Sequence, residues 1–373
     1  MAKRDHYVRM LMARESLSSK EMIRLKTPTG KIRKKGAWIF PGLILLMVCL
    51  FLLDLFLGSV KIPFVEILRA LFTGSGDPEY STIVLQFRLP RAITAIVAGF
   101  ALSVSGLQMQ TVFRNPLAGP FVLGISAGAS LGVAILVMGL SASVVFSGLY
   151  GFGNWAIALA AWIGSGIILF LVLAVSIRVR DIMTILILGI LFGSATSAVV
   201  SILQYFSSET MLKAFVVWTM GSLGNVSISQ LRILTITTFA GILIAVGMMK
   251  SMNLMLLGEN YASSLGLNTR WSRSMIFIST SILAGTVTAF CGPIAFIGIV
   301  VPHITRMVFK TADHRMLVPG SMVTGAVLLL ISDMISQLPG YDVTLPINSV
   351  TALLGIPVVI AIVIRSKKIS AFV

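Results

Sequence analysis

Charge is what this chain has least of. Only 11% of its 373 residues are Asp, Glu, Lys or Arg, against about 25% in soluble domains. Between Arg91 and Arg178 the sole charged residue is Arg114. A soluble core needs polar outer faces on its elements, whereas a bilayer tolerates long uncharged runs. Cysteine is scarce as well. Cys49 and Cys291 both sit in apolar runs, which argues against a disulfide framework or a cysteine zinc site. The three histidines, His6, His303 and His314, are scattered. No G-x-x-x-x-G-K-[ST] loop occurs, so the chain does not hold nucleotide that way. Ionisable groups inside apolar runs are the usual mark of ion coupling. Here they are few: Asp54, Arg306 and Asp333, each near the end of a run. That poverty argues against a proton- or sodium-driven secondary transporter. The lack of converging His, Asp or Glu argues against a membrane-embedded enzyme.

What is present is apolar sequence in span-length pieces. Hydrophobic residues make up 57% of the chain, and ten runs are long enough to cross a bilayer as helices. They cover about 37–57, 91–112, 121–139, 155–177, 183–206, 231–249, 272–290, 294–309, 316–337 and 345–364. The expected fold is therefore all-α and integral to the membrane, with about ten transmembrane helices. Residues 1–36 form a basic tail with eleven Lys or Arg against three acids, 37–366 the membrane domain, and 367–373 a short end.

The net charge of +16 reflects topology, not nucleic-acid binding. The basic tail, Arg114, Arg178, Arg180, Lys250, Arg270, Arg273, Lys310, Arg315, Arg365, Lys367 and Lys368 fall on one face if ten helices alternate. The positive-inside rule makes that face, and both termini, cytoplasmic. Contact of the tail with anionic membrane lipid fits the same charge. The opposite face takes the mixed segment from Lys61 to Arg91, an uncharged loop near 140–154, a segment with Glu209 and Lys213, and Asp342.

Two helix breaks echo each other. Phe113-Arg114-Asn115-Pro116-Leu117-Ala118 and Phe290-Cys291-Gly292-Pro293-Ile294-Ala295 each end one helix and start the next, on opposite faces. That is the signature expected of an inverted repeat. Small residues recur at packing spacing: Gly99, Ser103 and Gly106; Gly124, Gly128 and Gly132; Gly189 and Gly193. In lipid, close backbone approach at such residues supplies helix association. Between spans, Leu256–Asn268 reads as one or two short helices between Gly258 and Gly266, with Glu259 and Ala262 spaced to offer a small face and one acid to a partner. Pro302-His303 reads as a structural turn near helix ends. One histidine without converging partners is not a metal ligand, and no metal site or cofactor is expected.

Arg88-Leu89-Pro90-Arg91, Gly106–Gln110, Phe113–Ala118, Gly124–Gly128, Gly258-Glu259 through Gly266-Leu267, Gly292–Gly298, Val301-Pro302-His303 with Arg306, Asp313-His314-Arg315, Pro319-Gly320, Leu345–Ile347 and Gly355–Pro357 occur in this order. With them the chain resembles the FecCD-type permeases of ABC importers, which carry iron–siderophores, haem and cobalamin. The likeness runs from about residue 40 to 366. It implies a permease similar to that of the cobalamin importer, placed in the bacterial inner membrane. It implies pairing with a second copy or a paralogous permease, a cytoplasmic ABC ATPase dimer, and an extracytoplasmic substrate-binding protein. By the same resemblance Arg88 and Arg91 dock the binding protein. Gly258, Glu259, Ala262, Leu265 and Gly266 couple to the ATPase, and Asp181, Ile182, Met183 and Thr184 help form the cytoplasmic gate. The chain departs from the cobalamin importer where a third docking arginine falls near Gln337, and in its long basic tail.

Overall fold

The computed structural model describes residues 29–58, 60, 62–72, 77–139, 154–179, 181–337 and 343–370. Most of the basic tail, Lys61, Arg180, Asp342, nearly all of the 140–154 loop and the last three residues lie outside them. The chain forms two compact units, 1–42 and 43–373, and the sites below belong to the second.

Among the described residues the structure is helical, with no strand. All ten expected spans are there, seven of full length and three shorter. In chain order the helices are α1 (Thr29–Phe56), α2 (Phe64–Phe72), α3 (Pro78–Val112), α4 (Ile125–Gly139), α5 (Asn154–Arg178) and α6 (Ile182–Phe206). Next come α7 (Glu209–Thr219), α8 (Ile228–Gly247), α9 (Met249–Met255) and α10 (Glu259–Ser264). The last four are α11 (Thr269–Cys291), α12 (Ile297–Phe309), α13 (His314–Ser336) and α14 (Ile347–Ser370). α3 and α11 form the centre: 83% and 78% of their apolar stretches are buried, against 22% for α6. The outer helices turn Phe170, Ile187, Ile202, Ile236 and Phe239 away from the protein, as a lipid-facing surface requires.

Two elements extend the expectation and one corrects it. α3 begins at Pro78, thirteen residues ahead of the expected span start at Arg91. Its turn Ile83–Arg88 is π-helical, and the Leu89 N–H reaches back to the Val84 carbonyl. That wide turn lets Pro90 enter without its ring striking the preceding carbonyls. The segment with Glu209 and Lys213 is the short helix α7. Finally, Pro302 and His303 lie inside α12, not at a break. Pro302 leaves the Gly298 carbonyl without its helical partner, and that carbonyl faces Gly106 of α3, where an added Cβ would stand 1.8 Å from the oxygen. The neighbouring helix supplies the contact that the proline removes.

Asn115-Pro116 and Gly292-Pro293 do break the chain between helices. Left-handed backbone falls on Arg114 (φ 49°) in one break and on Gly292 (φ 73°) in the other. The packing has the symmetry of the echo. α3 packs on α13 as α11 packs on α5, α4 on α5 as α12 on α13, and α4 on α6 as α12 on α14. Exchanging the two halves leaves this set of neighbours unchanged. The small-residue seams are also where expected: Gly99 meets Gly325, Gly106 meets Gly298, and Gly128 meets Gly164.

Candidate functional sites at the two ends of the bundle

α3 and α13 run antiparallel, so each end of the pair gathers residues far apart in sequence. At one end, Arg91 of α3 meets Asp333 of α13. Arg91 Nε donates to Asp333 Oδ1 and Oδ2 at 3.0 and 2.9 Å, and Nη2 donates to Oδ1 at 2.9 Å. Asp333 is fully buried. Gln337, one turn on, donates its amide to Asp333 Oδ2 at 2.9 Å and to Asp54 Oδ1 of α1 at 3.0 Å. One side chain thus bridges two buried carboxylates and fixes three helices at one point. Arg88 is also buried. Its Nη1 donates to the carbonyls of Leu55 (2.8 Å) and Phe56 (3.1 Å), and its Nη2 to that of Val60. The Leu55 and Phe56 carbonyls close the C-terminal end of α1, where they lack helical donors and carry its negative dipole end, and Val60 follows just beyond it. Gly58 makes room, since a Cβ there would lie 2.8 Å from Arg88 Nη2.

Sequence reading picked out Arg88, Arg91, Asp54 and Asp333 separately and missed that they converge. Gln337 entered only as a departure from a family pattern. A usable signal was present, because Asp333 and Gln337 are four residues apart and share a helix face, and an intramembrane acid needs a partner.

At the other end, a cavity of about 840 Å³ is lined by Arg114, Asp181, Ile182, Gly258, Glu259 and Arg273, among others. It brings together the two sets that the sequence placed apart, around 181–184 and around 258–266. The short α10 is set by its flanking glycines: Gly258 (φ 105°) and Gly266 (φ 85°) adopt backbone that side chains resist. Ala262 is fully buried, and Glu259 turns toward the buried Arg273 at 3.8 Å. The small, acidic face of α10 therefore packs against its own protein. What points outward is Leu257, Tyr261 and Leu265, each more than half exposed. Tyr261 and Leu265 are one helical turn apart and so share one side, and Leu257 precedes the turn at Gly258.

Asp181 caps α6, accepting from Met183 N (3.3 Å), Thr184 N (2.9 Å) and Thr184 Oγ1 (2.7 Å). Those bonds, led by the Thr184 hydroxyl, hold its carboxyl below the ordinary range, and the Arg273 charge adds to the effect. Ile182, Met183 and Thr184 form the first turn of α6. Among the described residues no group of three His, Cys, Asp or Glu converges as a metal site would.

The chain matches the FecCD transport family over residues 45–365. It is 34% identical to the hemin transport system permease protein HmuU of Yersinia pestis over 327 residues, which cover 87% of this chain and 95% of that one. It is 36% identical to the vitamin B12 import system permease protein BtuC of Klebsiella pneumoniae over 335 residues, 90% of this chain and 96% of that one. A solved inward-facing structure assigned to the metal-chelate type of ABC transporter superposes with a TM-score of 0.77 at 27% identity, covering 88% of this chain and 99% of that one.

Proposed function

Because the chain belongs to the FecCD transport family, we propose that it is the permease subunit of a binding-protein-dependent ABC importer. Its substrate class is a metal chelate: an iron–siderophore, haem or cobalamin. The hemin and vitamin B12 permeases among its relatives support that class. The subunit works beside a second copy or a paralogous permease in a bacterial inner membrane, with both termini in the cytoplasm. It performs no covalent chemistry, and a separate ATPase pair hydrolyses the ATP.

The observation that carries this reading is the outward pair Tyr261 and Leu265 of α10, with the exposed Leu257 just before it. Outside the bilayer an exposed apolar row is costly, and such rows mark protein contacts. A short helix presenting anchors four residues apart suits a groove on a partner. By charge bias this end is the cytoplasmic one, so the partner is the ATPase. The backing is rigid: Ala262 packs inward and Glu259 faces Arg273. Movement of the ATPase then displaces the helix as a body and reaches Arg114 and the start of α6 across the shared cavity. At the other end the binding protein docks. Asp333 occupies Nε and Nη2 of Arg91, and Nη1 is the group offered to an acid of the incoming protein. Arg88 positions this site by holding the end of α1. Rim charges of this kind speed docking and set its orientation.

The test is purification from native membranes followed by reconstitution in liposomes. Co-purification of an ABC ATPase, with uptake of hemin, cyanocobalamin or a ferric siderophore that requires ATP, is the expected result. Transport by the chain alone under an ion gradient, without ATP, would overturn the reading.

A further inference from the structure

Asn253 lies in α9, six residues ahead of Glu259. Its amide orientation is fixed by its neighbours. Nδ2 donates to Asp313 Oδ1 at 2.7 Å, and Oδ1 accepts from the His314 backbone N–H at 2.9 Å. The same Oδ1 lies 2.6 Å from His314 Nδ1, so that ring nitrogen carries a proton. The other ring nitrogen, Nε2, lies 2.7 Å from Thr111 Oγ1, in the last turn of α3. The imidazole is fully buried. One ring therefore bridges the segment leading into α10 and the end of α3, while itself starting α13.

The pair that it joins is stiff. α3 and α13 touch backbone to backbone at Gly99 and Gly325, where an added Cβ on Gly99 would stand 2.6 Å from the Gly325 carbonyl. Arg91 and Asp333 clamp their far end. Thr111 and Arg91 are twenty residues apart on one helix, about 30 Å. A displacement passed from His314 to Thr111 meets no proline in α3 before the Arg91 end, whereas α13 itself is interrupted at Pro319. A plain tether between α9 and α13 needs only the bonds of Asn253 to Asp313 and to the His314 backbone. The ring's second contact, on Thr111, adds nothing to such a tether, yet the ring is buried to make it.

We propose that Asn253, His314 and Thr111 form the link that carries motion of the α9–α10 segment to the α3–α13 pair and on to the Arg91 end, with His314 as its positioning residue. This rests on the importer reading above. His314→Asn keeps a donor for Asn253 and drops Thr111. His314→Gln reaches Thr111 and drops Asn253. Thr111→Val removes one hydroxyl at near-constant shape, and Thr111→Ser restores it.

The experiment places spin labels on the full chain, with Cys49 replaced by Ser, in nanodiscs with its co-purified ATPase. One pair, at 263 on α10 and 178 at the end of α5, reads the α10 end. The other, at 87 and 206, reads the Arg91 end. ATP with vanadate is the probe. The expected result is a distance change at 263–178 in every variant. At 87–206 the change appears in the wild type and Thr111→Ser, and is lost in Thr111→Val, His314→Asn and His314→Gln. An undiminished change at 87–206 in Thr111→Val overturns the link. A change kept in His314→Asn but lost in His314→Gln reduces it to a tether and also overturns it. Absence of any ATP-driven change at 263–178 in the wild type instead refutes the importer reading.

Discussion

Gly106 offers the sharpest test of how this bundle is packed. A methyl group built on it would stand 1.8 Å from the Gly298 carbonyl oxygen and 2.4 Å from its carbon. Real Cβ atoms essentially never come within 3.0 Å of a neighbour, so α3 and α12 must separate by more than 1 Å. Both obstructing atoms are backbone, and no rotamer change relieves the clash. Separation forfeits dispersion contacts along the whole seam, because a gap of that size loses roughly a quarter to a half of each well. The expected cost of Gly106→Ala is about 3 kcal/mol or more, at the top of the overpacking range. Gly166→Ala is the matched control: nothing lies within 4 Å of its Cβ position, and alanine's helix propensity gains about 1 kcal/mol. Thermal loss of the monodisperse protein in one detergent compares the two. The Gly106 variant should denature well below the wild type and the Gly166 variant at or above it. Equal midpoints would show that α3 and α12 do not approach as closely as described.

Other expectations concern the ends. Arg91→Ala strands the buried Asp333 without its bidentate partner and should destabilise by about 3–5 kcal/mol. Arg91→Ala with Asp333→Asn should cost clearly less than the single change, and a thermal double-mutant cycle that proves additive would remove the pair's structural role. Gly258 adopts φ 105°, ψ 148°, a region essentially closed to other residues. Gly258→Val should release α10 and abolish ATPase co-purification while the bundle survives; retained co-purification argues against α10 as the contact. Asp181, held below the ordinary carboxylate range by the Thr184 and Met183 bonds, stabilises the start of α6 fully at and above that range and loses the contribution as pH falls through its lower folded value. Protection of the Met183 and Thr184 amides from exchange should therefore be flat from neutral pH down to about 4 and drop only below it. Asp181→Asn should abolish that acid-dependent drop.

The spans, the breaks and the glycine seams were legible because each depends on a local property: hydropathy over a window, a proline beside a turn residue, or small residues at helical spacing. The helical run before Arg91 was not, because a proline normally argues for a start, and only the π-turn at Ile83–Arg88 lets the helix continue through it. Pro302 misled in the same way, since the Gly298 carbonyl it frees is met by another helix. The orientation of α10 was beyond reach, because which side of a single turn faces inward depends on Arg273 and the cavity wall. The cluster at the Arg91 end joins residues up to 283 positions apart. Nothing in a local pattern says which acid answers which arginine.

The placement of polar groups bears on where the driving force enters. About one turn before the end of α3, Gln108 is buried, with its amide donating to Ser279 and its carbonyl accepting from Thr280. Ser279 passes its own proton to the Gly241 carbonyl. This set is neutral and mutually satisfied, so it holds α3, α8 and α11 together without offering an ion a vacant ligand. Among the described residues, Asp333 is held at one end of α3 by Arg91 and Gln337, and the half-buried Arg306 of α12 is held near the other end by Gln110. An ion-driven cycle needs a group near mid-depth whose charge changes as the site alternates. Groups clamped at the rims serve a different purpose, which is to keep two helices in register while forces act on their ends. In the importer reading, the binding and release of partner proteins supplies such forces. An architecture stiff in the middle and polar at both rims is suited to being moved from outside the membrane.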